Sequence, residues 1–129
     1  MKRTLFVLMV FLLITAACQP AQTDPIALTA EDAGKTIELK KGDSIQVSLK
    51  GNPTTGYNWY MVTQEPAVLE QTGEPAYKAD TDKLGSPGLI TLNFKAVASG
   101  KGLLQLVYKR AWETGVAPLY TYEVNLVVN

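Results

Sequence analysis

The sequence contains no histidine, and its only cysteine is Cys18. Without histidine, neither a Ser-His nor a Cys-His nucleophile pair can be assembled, nor a zinc site with an imidazole ligand. With one cysteine there is no intrachain disulfide, so packing alone must hold the fold. Arginine is almost as scarce. Apart from Arg3 near the start, Arg110 is the only one. Twelve acidic residues leave a carboxylate pair conceivable, but none stands apart by spacing from a solvated surface, and an enzyme is not expected. No cofactor and no metal are expected either.

The one long apolar run is at the beginning. Lys2 and Arg3 precede an unbroken stretch from Leu5 to Ile14, then the small residues Thr15, Ala16 and Ala17, then Cys18. This is the pattern of a secretory signal peptide, too short to span a bilayer as a helix. Cys18 stands where a bacterial lipobox places its lipidated cysteine. Residues 1–17 are therefore expected to be a lipoprotein signal peptide, and Cys18 a lipidation site such as palmitate would occupy. Residues 18–24 then form a polar tether, and residues 25–129 the folded domain. The expected location is the bacterial cell envelope, on its periplasmic or outer side, with the membrane a partner through the lipid alone. Without Lys2 and Arg3, ten basic residues face twelve acidic ones. That balance gives no reason to expect nucleic acid as a partner, and a monomer is expected.

After the tether the hydrophobic period is two nearly everywhere. Ile37 and Leu39 share one side of a strand, as do Ile45, Val47 and Leu49. The same holds for Ile90, Leu92, Phe94 and Ala96, and for Leu104, Leu106 and Tyr108. Tyr120, Tyr122, Val124, Leu126 and Val128 close the chain in register. "YNWYMV" is aromatic-rich and suits a central strand. Turn signals separate these runs: "KKGD", "GNPTTG", "GEP", "KLGSPG", "ASGKG" and "ETGVAP". Only "TAEDAGK" suggests a helical turn. The pattern predicts an all-β domain, an immunoglobulin-like antiparallel β-sandwich of seven to eight strands.

Three connections carry more side-chain chemistry than a turn needs. "NPTTG" (Asn52, Pro53, Thr54, Thr55, Gly56) sets two stiff β-branched residues at a loop tip, where they gain little turn propensity. "LGSPG" runs from Leu84 through Gly85, Ser86 and Pro87 to Gly88. "KRAWETG" holds Arg110, Ala111 and Trp112 just past a strand end. Plain structural roles exist for each: threonine hydroxyls bonded to their own loop, glycines for flexibility, Trp112 folded over the core with Arg110 stacked on it. Together, however, they describe a binding module. Trp and Arg are the residue types most enriched at binding hot spots, and stiff threonines leave little entropy to lose on association.

Asn52-Pro53-Thr54-Thr55-Gly56, followed by the glycine-containing loop and by Arg110-Ala111-Trp112, resembles the chagasin family of cysteine-protease inhibitors. Its signatures are an NPTTG loop, a GxGG loop and an RPW loop on an immunoglobulin-like fold. The resemblance spans roughly residues 35 to 128. Pro87 departs from the second signature and Ala111 from the third. The resemblance implies a reversible, tight-binding inhibitor of papain-like cysteine proteases that occludes the active-site cleft with three loops. It implies Thr54 as the wedge tip and Thr55 as a residue ordering the loop. Gly85 to Gly88 would offer backbone groups along the non-primed side, and Arg110 and Trp112 would pack over the primed side. The residues alone also fit an envelope lipoprotein whose exposed aromatics bind glycan or another surface protein.

Overall fold

The computed structural model describes residues 23–63 and 66–129. The expected signal peptide, Cys18 and most of the tether lie outside the described residues. Nine strands are present among them: β1 (Ile26–Leu28), β2 (Thr36–Leu39), β3 (Ser44–Gly51), β4 (Tyr57–Met61), β5 (Leu69–Gln71), β6 (Ala76–Ala79), β7 (Gly88–Ala96), β8 (Gly100–Arg110) and β9 (Tyr120–Val128). They form two sheets. In the first the order is β1-β3-β7-β5, with β6 also on β7; in the second it is β2-β9-β8-β4.

The alternation read from the sequence is what builds the core. Ile45, Val47 and Leu49 of β3 and Ile90, Leu92, Phe94 and Ala96 of β7 face Leu104, Leu106 and Tyr108 of β8 and Tyr122, Val124, Leu126 and Val128 of β9. All are buried, because side chains two apart share one face of a strand and both sheets turn that face inward. Truncating the central ring, Phe94→Ala, costs about 3–5 kcal/mol on this account.

The sandwich is the expected one, with three corrections of detail. Nine strands replace seven or eight, because β1, β5 and β6 are only three or four residues long and too short to show a period. Two edges are parallel rather than antiparallel: β1 pairs β3, and β2 pairs β9. Between them the chain changes sheet and reverses through a 3₁₀ turn, Ala30–Asp32, inside the "TAEDAGK" segment. Tyr120, expected inward, is exposed. It opens β9 at the rim of the sandwich, where its ring stacks on Tyr108 at 5.9 Å.

The crossing segment is held by a capping box between Thr29 and Asp32 and by a Lys35–Asp32 ion pair of 2.9 Å. The buried Tyr122 hydroxyl donates to Thr29 O at 2.9 Å. Burial, and secondarily the Asp32 carboxylate, pushes the Tyr122 hydroxyl up to about 12. Asp32 itself is held below its ordinary value, first by the Thr29 backbone N–H and then by Lys35.

Strand directions fix where the connections go. β3, β6 and β8 run toward one end of the sandwich, and β4, β7 and β9 run back from it. Residues 52–56, 80–87 and 111–119 therefore gather at one pole. Residues 40–43 and 97–99 lie at the other, together with Asn129. Ile26 pairs with Ile45 at the start of β3, so the described chain also enters from that second pole.

Candidate functional site

The loop after β3 is a single 3₁₀ turn, Pro53–Thr55, capped by Asn52 and closed by Gly56. Asn52 Oδ1 accepts from Thr54 N at 3.2 Å and from Thr54 Oγ1 at 2.5 Å. Asn52 O accepts from Thr55 N at 3.1 Å and from Thr55 Oγ1 at 2.6 Å. Thr55 Oγ1 also lies 3.4 Å from Tyr57 N. Pro53 suits the first helical position because its missing N–H has no partner there. Gly56 has φ +83°, which a side chain rarely tolerates. Both threonines are exposed, and both hydroxyls are tied inward. The turn is held in one shape before anything binds.

The second loop returns from β6 to β7. Ser86 is buried: its Oγ accepts from Thr81 N (3.2 Å), lies 3.0 Å from Thr81 Oγ1, and donates to Pro87 O at 3.0 Å. Tyr77 Oη donates to Ser86 O. Ser86 N donates to Lys83 O, and Asp80 N to Pro87 O. Gly88 is already the first residue of β7, where a Cβ would fall 2.0 Å from Lys78 O. The backbone carbonyls of Gly85, Ser86 and Pro87 each accept a hydrogen bond within the molecule, that of Gly85 from Asn52 Nδ2, and Pro87 has no N–H to give. What this loop turns outward is the side chain of Leu84, which is fully exposed.

The third loop follows β8. Arg110 Nε donates to Thr55 O at 3.0 Å, and Nη1 pairs with Glu113 Oε1 at 3.2 Å. The guanidinium carbon sits 4.4 Å from the centre of the Tyr57 ring and 5.9 Å from that of Trp112. Trp112 is 67% exposed, yet one part of its ring covers Gly56: a Cβ added there would be 2.1 Å from Trp112 Cη2. Ala111, Val116, Leu119 and Tyr120 are exposed beside it.

The three loops are joined as well as adjacent. Asn52 Nδ2 donates to Gly85 O at 3.0 Å, linking first to second. Arg110 and Trp112 link third to first. The structure thus brings every residue singled out in the three motifs to one pole. Ser86 and Gly88 lie buried within it, and the remaining motif residues keep at least part of their surface toward solvent. Sequence reasoning missed Leu84 as an exposed apolar tip. It also missed Tyr57, Tyr77, Tyr108 and Glu113 as supports. Tyr57 was readable only as part of an aromatic-rich strand, and Tyr108 only as an inward residue in line with Leu104 and Leu106.

With no histidine in the chain, such a surface can bind but offers neither a Ser-His nor a Cys-His pair. Residues 38–126 match the family model described as chagasin family peptidase inhibitor I42. Amoebiasin-1 of Entamoeba histolytica is 32% identical over 105 residues, covering 78% of this chain and 99% of that protein. Chagasin of Trypanosoma cruzi is 29% identical over 89 residues, 66% of this chain and 81% of that protein. Among solved structures, the cysteine protease inhibitor EhICP2 from Entamoeba histolytica superposes with a TM-score of 0.68. It is 25% identical, covering 81% of this chain and 95% of that one. Three loops converging on one pole of an immunoglobulin-like sandwich, and a family match across most of that sandwich, lead to one conclusion: this chain belongs to the chagasin family of peptidase inhibitors.

Proposed function

We propose that this protein inhibits papain-like cysteine proteases reversibly, by filling the active-site cleft with the pole that carries residues 52–56, 84–88 and 110–112. The observation that carries the reading is the state of the first loop. Thr54 and Thr55 project into solvent while their hydroxyls are bonded back to Asn52. A protease cleaves an extended strand, and a capped 3₁₀ turn that begins with proline does not offer one. The loop enters as a shape and is not turned over. The inhibitor supplies no covalent chemistry.

Thr54 is the tip of the wedge. The second loop lies along the non-primed side, where the backbone of Gly85 to Gly88 and the exposed side chain of Leu84 meet the protease. Arg110 braces the wedge through Thr55 O, and Trp112 covers the primed side with the exposed part of its ring. Protease–inhibitor contacts of ordinary size bury about 800 Å² per partner, so submicromolar inhibition is expected. The test is steady-state kinetics with papain and a fluorogenic substrate, with trypsin as control. Competitive inhibition of papain alone supports the reading; equal inhibition of both, or of neither, rejects it.

The same reading includes an anchor. Cys18 carries a lipid in the bacterial cell envelope, and residues 18–24 tether the domain. Support comes from the sequence before Cys18 and from the described chain entering at the pole opposite the three loops. A tether there leaves the wedge facing away from the membrane. Incorporation of labelled palmitate, lost in Cys18→Ser, is the expected outcome. Mature protein recovered with a free Cys18 thiol contradicts it.

A further inference from the structure

The first loop leaves sheet one at Gly51, and two side chains from the other sheet reach across the sandwich to hold the backbone on either side of that glycine. Trp59 Nε1, from β4, donates to Lys50 O at 3.0 Å. Tyr108 Oη, from β8, accepts from Asn52 N at 2.8 Å. Both rings are enclosed, each 6% exposed, and their centres are 5.1 Å apart. Tyr108 also stacks with Tyr57 at 5.3 Å and Tyr120 at 5.9 Å, so the ring has aromatic neighbours on several sides. Gly51 passes tightly over this group: a Cβ there would lie 3.3 Å from Tyr108 Cε2 and 2.4 Å from Ile90 Cδ1.

We propose that Tyr108 is a positioning residue for inhibition, its buried hydroxyl fixing Asn52 and through Asn52 the placement of Thr54 in the protease cleft. Asn52 is the hub of the wedge. Its side chain binds Thr54 N, Thr54 Oγ1 and Gly85 O, and its carbonyl binds Thr55 N and Thr55 Oγ1. Any shift of Asn52 carries the tip and its link to the second loop along with it. The Asn52 N–H is the one group of that hub pointing down into the domain. A half-buried N–H without an acceptor is costly, so removing the hydroxyl drives Asn52 upward toward water. The Tyr108 ring itself is covered by its neighbours and makes no surface for a protease to touch. Its effect on inhibition can therefore come only through the loop.

The proposal rests on the inhibitor reading above, and the experiment separates the two. Tyr108→Phe keeps the ring and its stacking. Its inhibition constant against papain is expected to rise about tenfold through faster dissociation, the factor that one lost buried hydrogen bond supplies. Amide exchange at Asn52, Thr54, Thr55 and Gly56 in the free protein is expected to accelerate, while β7 and β9 exchange as before. Val124→Ala, a core truncation elsewhere in the same sheet, lowers stability but leaves inhibition unchanged wherever the protein is folded. A folded Tyr108→Phe protein within twofold of the parent overturns the proposal. So does weaker inhibition with loop exchange unmoved. If the Phe variant fails to fold, the parent decides: the Asn52 amide is expected to be protected like the β8 ladder, and exchange as fast as an exposed loop amide overturns the assignment. If the parent does not inhibit papain, the inhibitor reading falls, and the exchange measurements still decide whether Tyr108 places Asn52.

Discussion

The two poles of the sandwich are built by different means. At the pole opposite the loops, main chain bonds main chain: Lys41 N to Asn129 O, Gly42 N to Ala96 O, Ala96 N to Asp43 O, Asn129 N to Leu39 O. Among the described residues the Asp43 side chain assists, its Oδ2 accepting from Lys40 N. At the loop pole the chain is fixed by Asn52, Thr55, Tyr77, Ser86, Tyr108 and Arg110, each binding backbone through its side chain. A turn held by its own main chain accepts many sequences. A loop held by side chains accepts few, and in return keeps its shape when it sticks out into solvent. The difference separates a part that only closes the fold from a part that binds.

A matched pair of glycines gives the largest expected break in that comparison. Gly42 (φ +98°) and Gly56 (φ +83°) are both in conformations that side chains rarely adopt, one at each pole. Gly42→Ala meets open space, so it costs about 1–2 kcal/mol of stability in a denaturant titration and leaves inhibition unchanged. Gly56→Ala has the same backbone cost and also displaces the Trp112 ring. Its inhibition of papain is expected to weaken roughly 100-fold, as loss of a hot-spot contact plus a distorted turn predicts. Next comes Trp112→Ala, about 30-fold weaker with the melting temperature unchanged, the usual scale for truncating an exposed anchor. If stability falls and inhibition holds, Trp112 is a cover for the loop and not a contact.

The crossing segment supplies a test that touches neither pole. Folded Tyr122 keeps its proton up to about 12, whereas its ordinary value is 10.0. The contribution is fully present below pH 10, falls as the unfolded chain ionises, and is lost as pH rises through about 12. Tyr122→Phe is expected to flatten that alkaline decline in stability without altering inhibition near neutral pH. The smallest effect is at Ala111, whose N–H makes no backbone bond in the turn that Arg110 O closes with Glu113 N. Ala111→Pro is expected to tighten inhibition about two- to fivefold by reducing the freedom of the unbound loop. A markedly weaker variant would show that the loop needs a backbone angle closed to proline.

The long strands were legible because half-buried strands force a period of two, as from Ile45 to Leu49 and Tyr122 to Val128. β6 was not, since Ala76 to Ala79 are exposed throughout and carry no alternation. The parallel edges depend on how residues 29–35 cross between sheets, which no local pattern encodes. Tyr120 kept the period of β9 but lies past the rim. At the site, the NPTTG turn was readable as a contiguous motif. Its supports were not: Tyr108 and Arg110 each bind the first loop across more than fifty residues of sequence, and such pairs become neighbours only through the fold.

The central claim is that the side-chain-built pole alone meets the protease. Its most direct test is the amide NMR spectrum of the isotopically labelled domain titrated with papain. The account predicts that the strong changes fall on residues 52–56, 84–88 and 110–119, with 40–43 and 97–99 unmoved. Changes centred on the far pole or on an outer sheet face would contradict it.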